Sequence, residues 1–244
     1  MYIRDRMDDI LTVFTESFGK EILCQREVVL QNSRNDPDAP ITCPKRYPLY
    51  QEQDADYRVV LDYQAVEIGQ FYFQAAHEFS HVMMRCYPDD KGLQWVSECL
   101  CETASLFVLK RLRSQLRNQF TPLHQRFIRA TKEARMLMAN ETLKSFYEKY
   151  KSELAGNAIG PVQNGYRTRN AAVGLWFMWL LEVNPPGWKS IVYLCDAPLP
   201  TAEYESAEQA SKVLFGTWRD RCEAGREKRF VTDISSALGL ELNP

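Results

Sequence analysis

From residue 69 almost to the end of the chain, nearly every segment places its apolar residues at helical spacing, and that regularity excludes most folds. Residues 69–86, 93–117, 123–139, 141–154, 169–183, 206–222 and a short segment near 231–238 all follow it, because side chains three and four apart share one face of a helix. A further helix is predicted over residues 5–18, where Ile10, Leu11, Val13, Phe14 and Phe18 lead up to Gly19. Between the two the character changes. Glu27–Leu30 and Arg58–Tyr63 read as strands, separated by a Pro-, Asp- and Asn-rich stretch containing Pro37, Pro40, Pro44 and Pro48. The expected fold is α+β and mostly helical, a small N-terminal β-sheet followed by a helical body. The linkers at 155–165 and 184–188 are too short and too unbiased to mark a boundary. Residues 1–244 are therefore expected to form a single domain, with 1–68 supplying a helix and the sheet and 69–244 the helical body. No internal repeat is evident.

A chain of 244 residues can bury a substantial core without disulfide or metal staples, so any metal it holds would serve function more than folding. The apolar share of 45% and charged share of 25% are those of an ordinary soluble protein, and a net charge of −2 says little about partners. The one basic run, Lys110-Arg111-Leu112-Arg113 with Arg117, is interleaved with leucine and ends a helix, where cations are favoured anyway, so it reads as a solvated face. Seven scattered cysteines (Cys24, Cys43, Cys86, Cys99, Cys101, Cys195, Cys222) contain no Cys-x-x-Cys and fit a reducing, cytoplasmic setting. The charged N-terminus does not look like a signal peptide. The longest apolar run, Ala171–Leu181, is short for a membrane span, so neither a membrane nor a nucleic-acid partner is expected.

The chemistry concentrates in His77-Glu78-Phe79-Ser80-His81. Two histidines four apart lie one helical turn from each other on one side, so both imidazoles can reach a single ion at zinc-ligand distance. Glu78 projects about 100° round the helix from His77, beside such an ion, where it can take a proton from water without ligating. A hydrolytic zinc needs a third protein ligand and an open position. The next helix offers Glu98 and Glu102, four apart in the uncharged, largely apolar stretch Trp95–Leu109, with no Lys or Arg between Lys91 and Lys110. Two such carboxylates repel each other when buried and call for a cation opposite them. Zinc with its histidines meets that need, with Glu98 as third ligand and Glu102 as the acceptor that orients a ligating histidine. A longer loop at Pro88–Leu93 would exchange their roles. Cys99 and Cys101 are read as buried small residues pointing away from the acidic face.

His-Glu-x-x-His followed on the next helix by Glu98-x-x-x-Glu102, with the local string Trp95-Val96-Ser97-Glu98-Cys99-Leu100, resembles the gluzincin zinc metallopeptidases in a compact single-domain form. The resemblance covers about thirty residues, ending near 109. Sixteen residues separate His81 from Glu98, and Cys99 stands where a small residue is usual. What it implies is a zincin-like active-site helix and one Zn²⁺ held by His77, His81 and Glu98. Glu78 would be the general base, and Glu102 would steady a ligand histidine. It also implies that Arg58–Tyr63 is an edge strand able to pair with an extended substrate.

The expected activity is then hydrolysis of peptide bonds in a peptide or protein substrate by metal-activated water. The alternative is a catalytically silent module of the same fold that recognises a protein partner. A peptidase also needs a donor for the developing oxyanion. Tyr166 is the first candidate, in what reads as a loop entering the 169–183 helix, with Arg167 and Arg169 beside it. His124 is read as a surface residue, and Asp196–Glu208 as a connecting loop.

Overall fold

The structure is a computed structural model that describes residues 3–19, 28–32, 49–53, 56–61, 68–84, 94–115, 128, 131–132, 134–136, 141–155, 164–194, 206–223 and 225–242. Among them run helix α1 (Ile3–Phe18), strands β1 (Val28–Asn32), β2 (Leu49–Gln53) and β3 (Asp56–Leu61), and helices α2 (Ile68–Met84) and α3 (Gln94–Gln115). Helices α4 (Leu143–Ala155) and α5 (Asn164–Val183) follow, then a 3-10 helix (Pro185–Tyr193), α6 (Ala207–Arg221) and α7 (Gly225–Ala237). The described residues within 123–139 are also helical. The fold is a mostly helical α+β structure, as the periodicity predicts.

The sheet has the order β1-β3-β2, with β1 parallel to β3 and β2 antiparallel to it. Two expectations change here. A third strand, Leu49–Gln53, lies in what reads from sequence as the end of a Pro-rich connection. β3 is also the central strand, with Val59 opposite Leu30 on one side and Tyr50 on the other. Its backbone hydrogen-bonding edges are both taken, so it is not an edge strand on which a substrate could add. Tyr57, Val59 and Leu61 are buried on β3, the period-two alternation of a sheet covered on one face, and that face packs on α2.

Helix α2 is the axis of the molecule. Phe71, Tyr72, Ala75, Ala76, Phe79, Val82, Met83 and Met84 leave it almost nowhere exposed, the pattern of a helix covered on all sides. α1 closes one flank, where Phe14 packs on Phe79 with ring centroids 5.9 Å apart and the Tyr72 hydroxyl donates to Asp9. α1 ends at Gly19, whose φ of 94° lies in the left-handed region that glycine enters freely.

The segment 184–188 is not a linker but the start of the 3-10 helix. Pro185 and Pro186 occupy its first positions, where a missing N–H costs nothing. It delivers Trp188 to the core, stacked on Phe18 at 5.2 Å and meeting Phe230 edge-on at 6.2 Å. α5 begins at Asn164, five residues before the predicted start, and α7 at Gly225, six before. Among the described residues no helix is long and apolar enough to cross a membrane.

Candidate metal centre

α2 and α3 run antiparallel in close contact. The Ser105 hydroxyl donates to the Phe73 carbonyl (2.9 Å), His77 faces Glu102 and Glu98, and His81 faces Glu98. α5 runs parallel to α3 on another side. Cys99 donates to Asn170 Oδ1 (3.8 Å), Thr103 shares its hydroxyl proton between the Cys99 carbonyl (2.7 Å) and the Gly174 carbonyl (3.1 Å), and Lys110 pairs with Glu182. Gly174 permits this approach. A Cβ there would sit 3.1 Å from Glu102 Cβ and 3.2 Å from the Cys99 carbonyl oxygen. α3 is thereby held between two helices, with its acidic face toward the histidines.

The geometry at that face is compact. Glu98 Oε2 is 3.3 Å from His77 Nε2, and Glu98 Oε1 is 3.3 Å from His81 Nε2. The imidazoles are 5.1 Å apart between centroids and inclined at 69°. Glu78 Oε1 lies 4.0 Å from His77 Nε2, and Glu102 Oε1 lies 3.9 Å from His77 Nδ1. The last is longer than a direct hydrogen bond, yet it sets the polarity of the ring: Nδ1 faces a carboxylate and Nε2 faces Glu98. Glu78, His81 and Glu102 are buried, whereas the Glu98 side chain keeps 32% of its surface and opens the cluster to solvent.

Electrostatics follow from burying acids beside imidazoles. Burial resists protonation of His77, but its hydrogen bond to Glu98 and the charges of Glu98, Glu78 and Glu102 outweigh that and raise its pKa from 6.5 to about 9. Burial likewise resists ionisation of Glu98, and the two histidines overcome it, holding Glu98 well below the usual carboxylate range. Without metal, a proton on His77 is therefore the cation that the two carboxylates of α3 require.

Imidazole and carboxylate are ordinary zinc donors. Two nitrogen or oxygen donors about 2.0–2.1 Å from one tetrahedral ion are about 3.3 Å apart. Each Glu98–imidazole contact has that length, through a different oxygen: Oε2 to His77 and Oε1 to His81. Residue chemistry therefore suits zinc, while the donor atoms that lie mutually within 4.8 Å are those of His77, His81 and Cys101.

Cys101 corrects the sequence reading. Its thiol does not point away from the acidic face: the donor atoms of His77, His81 and Cys101 all lie within 4.8 Å of one another. The signal was in the spacing. Three residues of helix bring a side chain within about 60° of its starting direction, so Cys101 shares the face of Glu98. Burial, followed by the charges of Glu98, Glu78 and Glu102, pushes its thiol well above the ordinary cysteine value. Cys99 is buried on the α5 side, as expected of a small packing residue.

Tyr166 and Arg167 belong to the first turns of α5 and not to a loop, and their side chains lie outside the described residues. Arg169 lies over the Tyr150 ring, 4.5 Å from its centroid. In the basic run, Lys110 is paired with Glu182 and Arg111 lies over Phe107 at 5.0 Å. His124 and most of Asp196–Glu208 lie outside the described residues. A surface cavity of about 620 Å³ between the 3-10 helix and α7 shares no residue with the cluster. No protein-family model matches the chain, and no curated protein or solved structure matches it either.

Proposed function

We propose that the chain is a zinc-dependent metallopeptidase that hydrolyses peptide bonds in a peptide or protein substrate. The observation that carries this reading is the placement of Glu98 between the two histidines, with Oε2 3.3 Å from His77 Nε2 and Oε1 3.3 Å from His81 Nε2. His77, His81 and Glu98 would hold the ion. Bound there, zinc would bring the pKa of a coordinated water toward neutrality and polarise the scissile carbonyl.

The protein's own groups supply the rest. Glu78, 4.0 Å from His77 Nε2, is placed to accept a proton from the attacking water and return it to the leaving amine. Its side chain is buried, next to His77 of its own helix. Glu102 faces Nδ1 of His77 and orients that ring with Nε2 toward the ion. Glu98, partly exposed, marks the side from which a substrate reaches the centre. Tyr166 is kept as the proposed oxyanion donor, from the helix that packs along α3.

Glu78→Gln tests the catalytic role. The amide keeps the shape and leaves the ligands intact, so zinc content is expected to stay at wild-type level while turnover of a peptide library falls by roughly 10²–10⁴. Equal turnover by the two proteins would remove Glu78 as the base. A second reading, a silent module of the same fold that binds a protein partner, is favoured by one observation, the additional donor at Cys101: a zinc ion with four protein ligands has no position left for water.

A further inference from the structure

Three described cysteines are buried, and they differ in what their sulfur faces. Cys99 donates to Asn170, and Cys222 donates to the carbonyl of Trp218 at 3.3 Å. Cys101 faces the two imidazoles, with its donor atom and theirs mutually within 4.8 Å. It follows Glu98 by three residues on the same side of α3, so both project toward His77 and His81 from one rigid helix. In a tetrahedral zinc site a sulfur and a nitrogen donor are about 3.6 Å apart.

We propose that Cys101 is a fourth metal ligand, so that the resting centre is a closed site of two imidazoles, one carboxylate and one thiolate. The inference rests on the reading of His77, His81 and Glu98 as zinc ligands and adds a form of regulation to it. Four protein donors complete a zinc coordination sphere, whereas hydrolysis needs one position for water. A centre closed by Cys101 turns over only when the thiolate yields its place. Burial gives this a direction. Cys101 is fully enclosed and Glu98 is at the solvent side, so the latch is applied from within the protein and is sheltered from competing thiols and metals outside.

Cobalt(II) replaces zinc in such sites and reports sulfur ligation through a near-ultraviolet sulfur-to-metal charge-transfer band, which imidazole and carboxylate do not produce. The wild-type protein loaded with cobalt is expected to show the band, Cys101→Ala to lose it, and Cys99→Ala to keep it. X-ray absorption of the zinc-loaded wild-type chain needs no variant and is expected to count one sulfur at about 2.3 Å, so a failure of Cys101→Ala to fold leaves the question answerable. Cys101→Ser provides a closer isostere for the same spectrum. Stoichiometric, histidine-dependent metal without sulfur in its coordination sphere would overturn the role of Cys101 and leave the three-ligand centre standing. A band that survives in Cys101→Ala would overturn it as well. Failure to bind cobalt or zinc at all would remove both readings together.

Discussion

The two faces of α3 bury comparable amounts of helix by opposite means. Toward α5 the contact is neutral and close: Cys99 and Thr103 meet Asn170 and Gly174, hydroxyl and thiol donors find carbonyl or amide oxygens, and among the described residues the ion pair of Lys110 with Glu182 sits at the exposed rim. Toward α2 the contact is charged: Glu98 and Glu102 face His77, His81 and Glu78, and Cys101 joins them. A neutral face is stabilised by packing and hydrogen bonds that need no buried ion. A face that buries carboxylates holds only while a cation is present, either a proton on His77 or a metal ion. One helix therefore separates a permanent contact from a conditional one, and the conditional one is where chemistry is expected.

The comparison can be broken most strongly at Glu98. Glu98→Ala is expected to weaken zinc binding more than about 100-fold, measured by competition with a chromophoric chelator, and Glu102→Gln only about 10–100-fold. The opposite ranking would place the ligand one helical turn further on. Next comes pH. In metal-free protein the ionic contact between His77 and Glu98 is complete between about pH 4.5, the ordinary carboxylate value, and 6.5, the ordinary histidine value. Because the folded pKa of His77 is raised to about 9, stability falls as pH climbs from 6.5 through 9, by up to about 3 kcal/mol. It falls again at acid pH as Glu98 gains its proton. Denaturant unfolding of chelated protein should show this decline, and a flat profile from pH 6.5 to 9 would mean that the cluster is not ionised as described. The smallest effect belongs to the neutral face. Gly174→Ala presses on Glu102 Cβ and on the α3 backbone and is expected to cost about 1–3 kcal/mol while the zinc stoichiometry holds. Loss of metal in that variant would mean that the two faces are not independent.

Much of this was legible in the sequence because helical period carries it. The helices beginning at 69 and 93 were placed within two residues of the observed starts of α2 and α3, and the spacing of His77, Glu78, His81, Glu98 and Glu102 brought those residues to a common face. What escaped detection depended on long-range contact. Leu49–Gln53 becomes a strand by pairing with β3, and nothing in Leu-Tyr-Gln-Glu-Gln alone requires it. Which strand lies in the middle of a sheet is likewise a property of the assembled chain. The 3-10 helix after Val183 was hidden by its two prolines, read as punctuation although they pre-form a helix start. Cys101 is a different case. Its spacing from Glu98 was sufficient to place it at the site, and only its description as a small packing residue kept it out.

The central claim is that α2 and α3 together hold one metal ion, and elemental analysis of protein purified without a metal-binding tag tests it most directly. The account predicts about one zinc per wild-type chain, as a three-ligand centre requires, and its loss when His77 and His81 are both replaced by alanine in protein that remains folded. Wild-type protein without zinc, or an equal zinc content in the double variant, would contradict it.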